Sequence, residues 1–162
     1  MNKQYEQVKE FHKAFNQDMP EKPTLLSCNE DPASVIYYMN QLGAVCKNMK
    51  TEGLGGEVIK RSSWMLEELI EFMDANDIEK QVDALTDLIY FAIGTFTLMG
   101  VKPEKLFDIV HAANMGKLHE DGKPRFDGQG KIVKPAGWEA SYAPEPKIKR
   151  EVERQIEEVT QT

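Results

Sequence analysis

The chain has 162 residues, enough for one domain with a real core, and its 41% hydrophobic and 29% charged content is that of a globular protein. With 27 acidic and 20 basic side chains its formal net charge is −7, which argues against duplex nucleic acid as a partner, because phosphate contacts need basic surface. Cys28 and Cys46 are too few to staple a secreted domain and are expected to be reduced, as in a cytoplasm. The start, MNKQYEQVKE, lacks the apolar core of a signal peptide, and no run of 18 apolar residues reads as a membrane span.

In chain order, Tyr5, Val8, Phe11 and Phe15 form one helical stripe over 3–16, which Pro20 and Pro23 break. Asp31 before Pro32 is a good N-cap and first-turn pair for a helix running to about Met49. A helix over about 57–74 follows the glycines of EGLGG, then a short break at 75–77, with Asn76 or Asp77 as cap. Residues 78–99 are apolar on nearly all sides in their second half, the pattern of a helix central in a bundle. Gly100 ends it, and Pro103 opens a helix to about 114. From 115 to 142 there is no helical period, and five glycines and two prolines come before Trp138, so this stretch reads as an ordered loop with room for a small hairpin. Ile148, Val152, Ile156 and Val159 mark an amphipathic tail helix over 145–159. The expected fold is an all-α, antiparallel helical bundle with a glycine-rich C-terminal loop. Residues 1–142 form the domain, and 143–162 are a tail helix packed on the same or a partner subunit.

The charge is not spread evenly. EELIEFMDANDIEKQVDALTD, residues 67–87, holds eight acids and one base, Lys80, and so carries the whole net charge of the chain. Glu67, Glu68 and Glu71 share a face of one helix at spacings of three and four, where Cβ atoms lie roughly 5–6 Å apart. Asp83 and Asp87 share a face of the next, and the hairpin sets the two faces opposite each other. Like charges at such spacing repel. A divalent cation would offset the repulsion, and a cluster without His or Cys suits Mg²⁺ or Mn²⁺ rather than zinc. Asp87 carries most weight, lying among Leu85, Leu88 and Ile89, where an unpartnered carboxylate is costly. The bland alternative is a set of solvated surface acids.

WMLEELIEF, DALTDLIYFAIGT and VHAANMGK resemble the all-α nucleoside triphosphate pyrophosphohydrolase superfamily, the group of MazG, dimeric dUTPases and phosphoribosyl-ATP pyrophosphohydrolase. The phosphoribosyl-ATP pyrophosphohydrolase-like branch is the nearest in motif, and the loop DGKP…GKIVKPAGW is similar too. The resemblance covers about 57–138 and implies Mg²⁺-dependent cleavage between the α and β phosphates, giving a nucleoside monophosphate and pyrophosphate. It also implies a homodimer. Glu68 and Glu71 match the metal ligands of a Glu-x-x-Glu motif, and Asp87 matches the acid closing the second motif. Glu67 matches an acid placed beside the metals as base or further ligand, and Asn114 and Lys117 match positions for phosphate or sugar. Where many members carry Glu-x-x-Asp, this chain has Ala84, with Asp83 one residue earlier as a shifted ligand.

Several residues keep two readings. Lys117, Lys123, Arg125, Lys131 and Lys134 make the 114–137 stretch either a basic lid over phosphates or a solvated loop. Arg61 shares a stripe with Trp64, Glu68 and Glu71 and either reaches phosphate or pairs structurally. Phe11, His12, Phe15 and Trp64 either wall a base pocket or, more commonly for such spacing, form core. Alternatives to the nucleotide-pool hydrolase are a phosphoribosyl-ATP pyrophosphohydrolase of histidine biosynthesis and a non-enzymatic, cation-stabilised helical interaction module.

Overall fold

The computed structural model describes residues 1–27 and 31–160, the side chain of Lys50 excepted. Cys28 therefore lies outside the described residues, and Cys46 is a free thiol. The chain is all-α as expected, with helices α1 (Asn2–Ala14), α2 (Ala33–Thr51), α3 (Gly56–Asp74), α4 (Ile78–Leu98), α5 (Glu104–Met115), α6 (Trp138–Tyr142) and α7 (Glu145–Thr160). Two capping expectations hold in detail. Asp31 Oδ1 accepts from Ala33 N at 2.9 Å, and Asp77 Oδ1 accepts from Lys80 N at 2.8 Å, each satisfying a donor that a helix start leaves unpaired. Gly100, at φ 68, supplies the left-handed residue that stops α4. No described helix is long and apolar enough to cross a membrane.

Contacts divide the chain into two compact units, Pro20–Gly100 and Met1–Met19 with Val101–Thr162. In the first, α3 packs against both α2 and α4. The middle helix is therefore α3 rather than α4. The apolar surround of α4 is not covered within the described chain: Val82, Leu85, Ile89, Tyr90 and Ile93 are all exposed. The small side chain of Ala84, 2% exposed, sits at the packed face of α4. Polar clamps also hold this unit together. The buried Gln81 accepts from Leu26 N at 2.9 Å and donates to Leu26 O at 2.8 Å, pinning the extended stretch before α2 to α4. Arg61 crosses from α3 to donate to Thr95 Oγ1 at 3.0 Å and Phe91 O at 2.6 Å. A Cβ on Gly94 would come within 2.8 Å of its Nη2, so a glycine lets the guanidinium through.

In the second unit, α5 packs on α1 and α7. Phe15 is fully buried and stacks on Phe11 at 4.2 Å, which makes these two rings core rather than a base pocket. Lys3 and Gln7 both donate to Asp108 at 2.8 Å. Gln155 repeats the device of Gln81: it accepts from Lys102 N at 2.9 Å and donates to Lys102 O at 3.0 Å, tying the tail helix to the start of α5. The loop after α5 contains one antiparallel bridge, Phe126 to Ile132, and then the short α6, too brief for any periodicity to reveal. Replacing Gln81 by Ala removes both bonds to the Leu26 peptide. It should cost about 1–3 kcal/mol, lowering the melting temperature by about 2–4 °C per kcal/mol, as measured by thermal denaturation.

Candidate active site

The two acidic faces meet across the α3–α4 hairpin. Glu67, Glu68 and Glu71 occupy the C-terminal half of α3, and Asp83 and Asp87 the N-terminal half of α4. Glu68 is half-buried; the other four are exposed. Asp87 is thus not the buried carboxylate its apolar neighbours led one to expect, because Leu85 and Ile89 beside it are exposed as well. The group is nonetheless electrostatically joined. Desolvation raises the Glu68 pKa, and the charges of Glu71, Asp87, Glu67 and Asp83 raise it further, in that order. Lys80, the local base, bonds Asp77 at 3.2 Å and Asn76 at 3.0 Å in the turn, and none of the five acids has an ion-pair partner among the described residues.

As donors these side chains fit a hard divalent cation: oxygen only, and on two helices of one hairpin. Their spacing is wider than a closed coordination shell, since among the described residues no three His, Cys, Asp or Glu side chains are grouped tightly enough to hold a metal ion. Glu71, Asp74 and Asp83 line one hollow at the turn, with Ala75, Asn76 and Lys80. Asp74 thus lies at the rim of the group. Asp83 acts least on Glu68 of the four neighbours, consistent with its place one residue out of the commoner register.

The basic residues fall elsewhere. Arg61 is engaged by Thr95 and Phe91 and lies over the rings of Trp64 and Phe91, at 5.0 and 5.5 Å, so these contacts are structural. Trp64 itself packs on Phe91 at 5.5 Å. Asn114, Lys117, Lys123 and Lys134 belong to the other unit. There Lys117 Nζ donates to Asn114 Oδ1 at 2.7 Å, and burial followed by the nearby Lys134 lowers its pKa. Lys134 lies 3.8 Å over the Trp138 ring and 3.5 Å from Glu139. Among the described contacts the Lys123 side chain joins neither group, its backbone alone being fixed, by Asp121 and His119. The contacts of Trp138 had no counterpart in the sequence reading; a tryptophan directly after Pro-Ala-Gly was the available signal.

Residues 45–114 match the family model of phosphoribosyl-ATP pyrophosphohydrolase. A crystal structure of a candidate NTP pyrophosphohydrolase from Exiguobacterium sp. 255-15 is 29% identical, with 96% of each chain covered and a TM-score of 0.65. Among curated proteins, none matches. Fold and comparisons together define a hydrolase acting on phosphoric anhydride bonds. The comparisons bear out the resemblance to the all-α NTP pyrophosphohydrolase superfamily carried by WMLEELIEF and DALTDLIYFAIGT.

Because folding raises the Glu68 pKa, the fold favours its neutral form. Stability linked to this group is fully present below its ordinary value, 4.5, and is lost as pH rises through the raised value. In chelator, the melting temperature of Glu68→Gln relative to the native chain should therefore grow across that window. Added Mg²⁺ at neutral pH should narrow the gap. A difference independent of pH would contradict this reading of the hairpin.

Proposed function

We propose that this protein is a Mg²⁺-dependent nucleoside triphosphate pyrophosphohydrolase that cleaves the α–β phosphate bond, working as a homodimer in the cytoplasm to clear the nucleotide pool. The observation that carries the reading is the set of five carboxylates on the two helices of one hairpin, none with an ion-pair partner among the described residues. Glu68, Glu71 and Asp87 would hold the cation, with Asp83 at the edge. Mn²⁺ would fit the same oxygen donors. The metal supplies Lewis acidity and neutralises charge on the leaving pyrophosphate. Glu67 accepts the proton of the attacking water as its oxygen joins the α phosphorus and the bond to the β phosphate breaks. Asn114 and Lys117 contact phosphate or sugar.

The dimer is supported by exposed apolar surface. Leu85, Ile89 and Ile93 form an uncovered stripe on α4, and Val35, Tyr38, Leu42 and Val45 form another on α2. The name of the matching family model favours phosphoribosyl-ATP as a second substrate reading.

A screen of all NTPs and dNTPs together with phosphoribosyl-ATP, with pyrophosphate as readout, decides the substrate. In the active case Glu68→Ala and Asp87→Ala should each cost about 100-fold or more, and Asp83→Ala less. Full activity in both of the first two variants would remove the proposed site. Ile89→Glu should shift the chain toward monomer in light scattering; an unchanged mass would place the interface elsewhere.

A further inference from the structure

The contacts between α3 and α4 fix their register. Arg61 Nε donates to Thr95 Oγ1 at 3.0 Å, and its Nη2 donates to Phe91 O at 2.6 Å. Trp64 packs on Phe91, ring centres 5.5 Å apart. A Cβ on Gly94 would meet Arg61 Nη2 at 2.8 Å. Helices joined by so short a break run antiparallel, so a step toward the turn on α3 is matched by a step back along α4. Arg61 is level with Gly94 and Thr95, and Trp64 with Phe91. One turn nearer the break, Glu68 on α3 is level with Asp87 on α4. These two carboxylates therefore stand between the break at 75–77 on one side and the ring pair and Arg61 on the other.

Like charges at one level of a helix pair push the helices apart. On the turn side the chain itself resists, since only three residues join α3 to α4. On the other side the resistance comes from Arg61. Its guanidinium is a planar fork, and two donors on one edge fix direction as well as distance, which an ammonium on a flexible stem does not do. The same group lies over both rings, 5.0 Å from Trp64 and 5.5 Å from Phe91, and a cation is attracted to such faces. Gly94 points the same way. A glycine inside a helix is destabilising relative to alanine. Here its missing side chain leaves the space through which the guanidinium reaches Phe91 O.

We propose that Arg61 is a positioning residue of the acidic hairpin: through Thr95, Phe91 and the Trp64 ring it holds Glu68 and Asp87 at one separation, and Gly94 is the passage that lets it do so. In this role Arg61 touches neither substrate nor cation and acts through the two helices. The inference rests on the function proposed above only for what the carboxylates hold, a hard divalent cation. Carboxylates already set at their separation need not be drawn together against their repulsion when the cation arrives, which lowers the ordering cost of binding. A helix pair fastened only at its turn would splay at the level of the acids.

The test is Mn²⁺ binding to the full chain without nucleotide, read from the free-ion signal in electron paramagnetic resonance. Charge and position give Arg61→Met opposite signs. Removing a positive charge near a cation tightens its binding by Coulomb's law alone. Losing the clamp should instead weaken it about 10-fold, the weight of an outer partner of a metal ligand. Gly94→Ala favours the helix but blocks the passage, so it should weaken Mn²⁺ binding in the native chain and add nothing in Arg61→Met, where no guanidinium meets the methyl. Gln81→Ala, which frees the Leu26 peptide and leaves the clamp intact, controls for lost stability and should bind Mn²⁺ as the native chain does. Affinity in Arg61→Met that is native, tighter, or no weaker than in Gln81→Ala overturns the clamp. So does a Gly94→Ala effect of equal size in both backgrounds. If Arg61→Met does not fold, Gly94→Ala carries the test alone, and native affinity in it overturns the clamp. With Mg²⁺ saturating, nucleotide hydrolysis by Gly94→Ala should lose kcat and keep KM. Mn²⁺ bound as described by a chain that hydrolyses no nucleotide supports the clamp and removes only the proposed function. A native chain that takes up no Mn²⁺ overturns both.

Discussion

Repulsion between carboxylates across the α3–α4 hairpin is the constraint on which the rest of the first unit turns. Two helices joined by a three-residue break must run side by side, and here each presents acids to the other. The features that hold them together are those that tolerate this. Ala84 is small enough for close approach of the backbones, Asp77 starts α4 cleanly, and Lys80 stays in the turn with Asn76 and Asp77. Two turns from the acids, Arg61 bridges the helices through Thr95 and Phe91. The positive charge that could have neutralised the cluster is thus spent on structure. The charge excess stays where a cation and a phosphate chain would use it.

Much of this was legible because helical geometry is local. Spacings of three and four residues placed Glu68 with Glu71 and Asp83 with Asp87, and the short 75–77 break placed the pairs opposite each other. Caps at Asp31 and Asp77 were legible for the same reason: a carboxylate two or three residues before the amide it accepts from is a local event. Burial was not legible, since it depends on what covers a face. The periodicity of α4 gave a central helix and a buried Asp87, and the structure has α3 in the middle with Asp87 exposed. Contacts between distant residues were equally hidden. Nothing in the sequence ties Gln81 to Leu26, Gln155 to Lys102 or Trp138 to Ala113.

Those distant ties share a chemistry. Two glutamines each satisfy both the N–H and the C=O of one peptide unit, and an arginine and a tryptophan each bond a helix carbonyl. Buried apolar side chains are few among the described residues, namely Phe15, Ala84, Leu106, Ala113 and Trp138. With so small a core, directional bonds fix elements that apolar packing alone would leave free to slide. They also explain why large apolar residues on α2 and α4 can remain uncovered in a folded chain: these faces are not what holds the helices to each other.

The register of Asp83 shapes the acidic group of the hairpin. An acid at 84 would lie on the packed face of α4, the position that the helix buries most completely, whereas Asp87 is exposed. Placing Ala there and the acid at 83 lets the helices pack closely and sets the carboxylate toward the turn, in the hollow with Glu71 and Asp74. Glu68 then feels Glu71 and Asp87 more strongly than Asp83. The electrostatic centre of the group is therefore the trio Glu68, Glu71 and Asp87. Asp83 extends that centre along the groove toward the turn and does not close it.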